Sequence, residues 1–307
     1  MKPRTYRDAT AFRVALEVRL RQTALERSVP LDRLRKEVAH QRFLARLALT
    51  APAGTWALKG GQALLARLGE GARVTKDTDA TWRGVSDAFA EVLEQAVDLD
   101  LADFFTFEVG EPRKLAAETE EGGLRYSITA SLDGRRFERL QLDVNFVPHD
   151  PRPLEFLRLR DVLDFAGIEP PKVPIVSVAQ HLAEKLHAYT RDYGVASSRP
   201  RDLFDMLIVA HHLPLPSAGD LVEACRLTFG LRGTRWPPEL RAAPDEWKNT
   251  WQAYAEDYGT DWPDLESAER ALRLLVQPLL EGDADSATTW DAASWGWRSA
   301  GSPRCGR

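Results

Sequence analysis

Residues 55–82 read TWALKGGQALLARLGEGARVTKDTDATW. Thr55–Leu58 is a short strand, Gly60-Gly61 interrupts it, and Gln62–Leu68 has the spacing of a helix. Gly69-Glu70-Gly71 closes that helix, and Val74–Trp82 resumes as a second strand. Glycines between a strand and a helix let a ligand approach the backbone closely. The start of the helix offers free N–H groups and positive dipole to an anion. Strand side chains alternate, so Asp77 and Asp79 share one face while Thr78, Ala80 and Trp82 share the other. Two neighbouring carboxylates repel each other; a divalent cation relieves the repulsion, and Mg²⁺ favours oxygen ligands together with phosphates. Singly, each feature has a plainer reading, an ordinary turn and two solvated acids; the pair in this order is more specific.

Downstream, Ser86–Val97 reads as a helix with Ser86 as N-cap. Phe104–Val109, Leu124–Leu132 and Phe137–Val147 read as strands, the last two joined by Asp133-Gly134, a strong hairpin signal. In the last strand Leu140, Leu142, Val144 and Phe146 alternate with Gln141, Asp143 and Asn145. Asp143 therefore stands on the face where a neighbouring strand could present Asp77 and Asp79. Strand, Gly-Gly, helix, strand with Asp-x-Asp, then a later strand with one Asp is the order of the polymerase-β-like nucleotidyltransferase fold, where carboxylates hold metal ions on a nucleoside triphosphate.

Upstream, Asp8–Ser28 and Leu31–Leu49 are helical. Pro-rich stretches at 148–153 and 169–174 mark a boundary, after which 177–193, 201–211, 218–229 and 265–280 are helical. The expected architecture is α+β: basic N-terminal helices (1–50), a mixed-sheet domain (51–165), a helical C-terminal domain (166–281) and a flexible Trp-rich tail (282–307) in which Trp290, Trp295 and Trp297 are candidates to dock. In the first C-terminal helix Val178, Leu182, Leu186, Tyr189 and Tyr193 form an apolar stripe flanked by Lys185. Gly194 and Pro200 then break the chain into a helical hairpin. Such a hairpin brings Asp202 or Asp205 back towards Lys185, a compact cation suited to triphosphate charge.

Composition sets the outer bounds. The chain has 307 residues, 44% hydrophobic and 28% charged, which is ordinary globular usage and excludes a disordered, collagenous or coiled-coil protein. No apolar run is long enough to span a membrane. The start, Met1-Lys2-Pro3-Arg4, leads into a charged segment without an apolar core, so no secretory leader is expected. Cys225 and Cys305 lie far apart and suit a reducing, cytoplasmic setting. Net charge is −5, yet residues 1–46 hold twelve Lys/Arg against five Asp/Glu, and residues 241–297 hold four against twelve. A basic end is compatible with a nucleic-acid partner and equally with a solvated helix face.

Taken together, Leu58-Lys59-Gly60-Gly61-Gln62-Ala63-Leu64, Arg73-Val74-Thr75-Lys76-Asp77-Thr78-Asp79, Glu184-Lys185-Leu186-His187-Ala188 and Arg199-Pro200-Arg201-Asp202-Leu203-Phe204-Asp205 resemble the AbiEii/AbiGii-type, MenT-like nucleotidyltransferase toxins. The resemblance runs from about 55 to 210. It implies a toxin of a toxin–antitoxin or abortive-infection pair that transfers nucleotides from NTP with one or two Mg²⁺ ions. It implies the 3′ end of tRNA as acceptor and a cognate antitoxin as partner; the expected form is a monomer. Asp77 and Asp79 take the metal-carboxylate and catalytic roles, and Asp143 is a third candidate ligand. Lys185 takes the conserved-lysine role, with Asp202 as the later acid and Asp205 as its competitor. Lys59, Gly60, Gly61, Thr75, Lys76 and Arg191 are the nucleotide-binding candidates. Gly61 stands where many relatives carry Ser. The N-terminal Arg19, Arg21, Arg33, Arg35 and Lys36 could guide a tRNA backbone. A small-molecule acceptor such as an aminoglycoside, a protein side chain as acceptor, and a catalytically silent nucleotide-binding module remain as alternatives.

Overall fold

The computed structural model describes residues 6–73, 75, 77–115, 123–148, 150–191, 200–282 and 284–299. The chain divides into two compact units, Met1–Gly69 with Val74–Ile175, and Glu70–Arg73 with Val176–Arg307.

The first unit opens with α1 (Ala9–Arg27), whose Phe12, Leu16 and Leu20 recur every fourth residue and are buried. Asp8 caps it by accepting from the Ala11 N–H at 2.8 Å, and Ser28 ends it in the left-handed region. α2 (Leu31–Thr50) is buried along nearly its whole second half, from Val38 to Leu47. That half carries Arg42 and Arg46, which both donate to Asp103, at 2.6 and 2.8 Å. Burial of charge is tolerated only with such pairing, so two of the twelve N-terminal cations are spent inside the core. Arg35 is likewise held by Glu17 at 2.5 Å, while Arg19 and Arg21 are exposed. The basic face is therefore narrower than the charge count implied.

β1 (Trp56–Lys59), α3 (Gly60–Leu68), β2 (Thr78–Trp82) and α4 (Ser86–Asp98) follow. β2 begins at Thr78, later than expected, and its pairing with antiparallel β1 ends at Lys59 opposite Asp79. Val74 and Lys76 lie outside the described residues. The N-cap of α4 is Val85, not Ser86, whose hydroxyl donates instead to Asp87. β3 (Phe105–Val109), the short β4 (Arg113–Lys114), β5 (Gly123–Leu132) and β6 (Arg135–Phe146) complete the antiparallel part. Asp133 and Gly134, at φ +56° and +66°, make the two-residue turn between β5 and β6. Two strands in the Pro-rich region, β7 (Leu154–Arg158) and β8 (Lys172–Val176), were not anticipated.

Eight strands form one mixed sheet in the order β3-β5-β6-β2-β1-β8-β7, with β4 paired to β5. β2 runs parallel to β6 and β1 parallel to β8, while β1–β2 and β5–β6 are antiparallel. Leu58, Ala80, Val144 and Leu124 lie side by side on one face and join the core with Phe43, Leu47, Phe89 and Leu93 of α2 and α4.

The second unit is helical: α5 (Val178–Thr190), α6 (Pro200–His212), α7 (Ala218–Leu231), α8 (Lys248–Tyr258) and α9 (Leu265–Glu281). Ser177 caps α5 through the Gln180 N–H. A small hairpin, β9 (Thr289–Asp291) with β10 (Gly296–Arg298), closes the described chain. Its tryptophans dock by their indole N–H groups: Trp290 to the Ala210 carbonyl at 2.9 Å, Trp295 to Ala271 at 2.9 Å and Trp297 to Leu275 at 2.8 Å.

Candidate active site

The predicted site residues gather into two charged groups, one in each unit. In the first unit they form a row across four neighbouring strands. Lys59 on β1 is opposite Asp79 on β2, Asp79 opposite Asp143 on β6, and Asp143 opposite Arg125 on β5. The row is one residue along from Leu58, Ala80, Val144 and Leu124, so alternation places it on the face away from the apolar core.

Arg125 was not anticipated. Its Nε donates to Asp143 Oδ1 at 2.6 Å and its Nη2 to Oδ2 at 2.6 Å, and Nη2 lies 3.5 Å from Asp77 Oδ2. The bond to Asp143, with the added attraction of Asp77 and Asp79, raises the Arg125 pKa. The Asp143 side chain is only 11% exposed, whereas Arg125 is 40% and Asp77 42% exposed. Among the described residues no three or more Asp, Glu, His or Cys side chains are grouped to hold a metal ion.

The glycine turn is shaped around this row. Gly60 has φ +59°, and a Cβ there would collide with the Asp79 carboxylate. A Cβ on Gly61 would lie 2.8 Å from both Cβ and Oγ1 of Thr75, whose hydroxyl donates to the Asp77 carbonyl at 3.2 Å. Thr75 thus packs on the first turn of α3, and a serine at 61 would have no room without moving it. Lys59 is the N-cap of α3 and makes no side-chain capping bond. The first N–H groups of the helix, next to Asp79, are therefore not satisfied by a cap side chain, which is the arrangement that favours an anion.

In the second unit Lys185 Nζ lies 2.7 Å from Asp202 Oδ1 and 2.8 Å from Asp205 Oδ2. The α5–α6 hairpin brings both acids to the lysine, where the sequence left a choice between them. Arg73, also not anticipated, donates Nε and Nη2 to the two oxygens of Asp205 at 2.8 and 3.0 Å. Asp205 is fully buried and Lys185 only 12% exposed. Burial alone would lower the Lys185 pKa and raise that of Asp205; the opposite charges outweigh it, so Lys185 is held up and Asp205 down. Two cations and two anions make this tetrad neutral. Arg191 is the C-cap of α5, with its backbone N–H on the His187 carbonyl. Nothing in the strand or helix periodicity marks Arg73; for Arg125 the signal is the alternation of β5 against β6, which a two-residue turn alone does not satisfy.

A mixed sheet with a Gly-Gly turn between β1 and α3, and an acid row crossing β2 and β6, defines an α+β fold of the polymerase-β-like nucleotidyltransferase type. The family model described as nucleotidyl transferase AbiEii toxin, type IV TA system, matches residues 42–275, and the chain belongs to this family of nucleotidyltransferase toxins. Among solved structures the chain is similar to MenT4, nucleotidyltransferase toxin Rv2826c from Mycobacterium tuberculosis H37Rv, at 20% identity, covering 88% of this chain and 99% of that one with a TM-score of 0.53. At that identity the likeness establishes the fold. Two weaker likenesses are to ANT(2")-Ia in complex with adenylyl-2"-tobramycin (16% identity, 63% of this chain, 87% of that one, TM-score 0.32) and to the Megavirus polyadenylate synthase (11%, 76%, 38%, 0.23). No functionally curated protein matches the sequence. No helix among the described residues is long and apolar enough to cross a membrane.

Proposed function

We propose that the protein transfers a nucleotide from an NTP to the 3′ end of tRNA in a Mg²⁺-dependent reaction, and so arrests translation until a cognate antitoxin neutralises it. The observation that carries the reading is the lateral register of Asp79 with Asp143, beside the uncapped start of α3. Asp77 and Asp79 are oxygen donors on the open face of the sheet, and Gly60 leaves the Asp79 carboxylate room at the turn. This donor set fits Mg²⁺. Asp77 and Asp79 would hold the ion, and Asp143 would join them only by sharing its oxygens with Arg125. When bound, the ion would offset phosphate charge and lower the pKa of the attacking hydroxyl.

The chain's own residues supply the rest. The N–H groups of Gly61 and its successors would bind phosphate oxygens at the helix start. Thr75 would orient the turn through Gly61 and the Asp77 carbonyl. Lys185, fixed by Asp202 and Asp205, is the candidate phosphate cation of the second unit; an ammonium has three N–H donors, and these acids use two. The 3′ hydroxyl oxygen would bond to the α-phosphorus as the bond from that phosphorus to the α,β-bridging oxygen breaks, with pyrophosphate leaving and the hydroxyl proton released to solvent. Arg19 and Arg21 would track the tRNA backbone. The working compartment is the cytoplasm, and the active form a monomer.

The test offers radiolabelled NTP with Mg²⁺ and separate tRNA, protein and aminoglycoside pools. Label is expected in tRNA. Asp79→Ala should lower incorporation by at least about 10³-fold, the equivalent of about 4 kcal/mol of barrier. Label confined to the protein or aminoglycoside pool overturns the acceptor, and full activity in Asp79→Ala overturns the site.

A further inference from the structure

We propose that Arg125 competes with the divalent cation for the acid row, so that the site takes up metal together with a nucleoside triphosphate, whose phosphates receive the displaced guanidinium. The proposal rests on the nucleotidyltransferase reading of that row and adds a rule for the order in which it fills.

Three observations support it. The first is that Arg125 already does a cation's work. Both Asp143 oxygens accept from one guanidinium at 2.6 Å, Asp77 lies 3.5 Å from it, and Asp79 stands next to Asp143 in the row. Such bidentate, charge-assisted bonds are among the strong hydrogen bonds of proteins. A metal ion entering alone must share or displace them, and it leaves the guanidinium without a partner of equal quality.

The second is that the partners differ in freedom to move. The Asp143 carboxylate is nearly enclosed, on a central strand between β5 and β2, whereas the arginine side chain is 40% exposed. The arginine can swing away; the acid cannot. A guanidinium matches phosphate with the same two-pronged geometry that it uses on carboxylate, so a triphosphate at the row offers it a replacement partner.

The third is that the register is adjusted to create the pair. From the turn, Leu132 faces Arg135 and Ser131 faces Arg136, but Ala130 faces Glu138, because Phe137 is the extra residue of a β-bulge. Without that bulge Arg125 would oppose Leu142, and the core-facing Leu124, Tyr126 and Ile128 would meet Asp143, Gln141 and Arg139 across the ladder.

The experiment measures Mn²⁺ binding by electron paramagnetic resonance, with and without a non-hydrolysable NTP analogue, for the wild-type chain, Arg125→Gln and Arg125→Lys. The wild type should bind Mn²⁺ weakly alone and markedly better with the analogue. Arg125→Gln should bind Mn²⁺ alone at least about tenfold more tightly, since a positive charge within a few ångströms of the ligands has gone, and should lose most of the gain from the analogue. Arg125→Lys, which keeps the charge but not the fork, should lie between. Mn²⁺ affinity in Arg125→Gln equal to or below that of the wild type overturns the proposal. If circular dichroism finds Arg125→Gln unfolded, Arg125→Lys decides, and unchanged Mn²⁺ affinity there overturns it. A wild-type chain that fails to bind Mn²⁺ even with the analogue defeats the nucleotidyltransferase site itself; normal wild-type binding with unaltered variants defeats only the role of Arg125.

Discussion

The acid row of the first unit and the tetrad of the second are built from the same residue types. In the row, Asp143 and Asp77 lie against a half-exposed arginine, Asp79 stands between Asp143 and Lys59, and the three acids outnumber the two cations. In the tetrad, Arg73, Lys185, Asp202 and Asp205 balance, and three of the carboxylate–cation contacts lie between 2.7 and 2.8 Å. A buried, neutral, closed set resists change, because removing one member strands another in a low-dielectric interior. A part-exposed set with surplus negative charge can accept a cation without rebuilding the protein. The difference separates a scaffold that holds a lysine in place from a surface prepared to receive a ligand.

The largest effect that tests this contrast is on stability. Asp205→Asn should cost about 3–5 kcal/mol, because Lys185 and Arg73 lose a buried counter-charge, and lower Tm by about 10 °C. Asp79→Asn should shift Tm by less than about 2 °C, since it relieves repulsion at a partly open site. Thermal unfolding followed by circular dichroism measures both. Equal losses would mean that the row is as closed as the tetrad.

How far the sequence discloses these two sites depends on how local each signal is. The Gly60-Gly61 turn and the Asp77/Asp79 pair are legible because strand alternation and turn chemistry act over a few residues. The hairpin at Asp133-Gly134 is legible for the same reason, but the pairing beyond it is not a simple count. Counting outward from that turn places Arg125 against Leu142. Yet Leu124, Tyr126 and Ile128 can share a face with Leu140, Leu142 and Val144 only if one residue is looped out. That conflict calls for a bulge without placing it; the structure puts it at Phe137 and so gives Asp143 its partner. Arg73 had no comparable signal, since its contact with Asp205 spans 132 residues of sequence. The strand β8 was hidden by Pro174 and β7 by the Pro-rich stretch that precedes it, while the tail named its docking tryptophans but had no periodicity to show what receives them.

A second effect, of intermediate size, separates the units by pH. His40 is buried in the first unit, and burial, with Lys36 nearby, lowers its pKa from 6.5 to about 4. The folded state thus binds a proton later than the unfolded chain, so the unfolded state gains as pH falls from 6.5 to about 4. The loss should reach about 3 kcal/mol over that window. Asp205 behaves differently: its carboxyl is held below its ordinary value of 3.8. Its contribution is full above that value and is lost only as pH falls through the lowered pKa. Melts recorded from pH 7 to 3 should weaken first through His40, and His40→Gln should flatten the slope between 6.5 and 4. A slope unchanged in that variant would assign the acid sensitivity elsewhere.

The smallest effect is the sharpest probe of the open site, because it uses two glycines with the same backbone demand. Gly60 and Gly134 have φ +59° and +66°. Alanine at either position should cost about 1–2 kcal/mol, the penalty for an L-residue in the left-handed region. Around Gly134 there is nothing within 4 Å of a new Cβ, whereas at Gly60 the new Cβ meets the Asp79 carboxylate. The shared backbone penalty should therefore be joined at Gly60 by the displacement of Asp79, and only there by a loss of function. Gly60→Ala is expected to weaken metal–nucleotide binding by at least about tenfold, as Asp79 must shift to make room, while Gly134→Ala binds as the wild type does. Isothermal titration of a non-hydrolysable NTP analogue with Mg²⁺ reads the difference directly. The same affinity in both variants would show that the turn at Gly60 shapes the chain alone and not a ligand site beside Asp79.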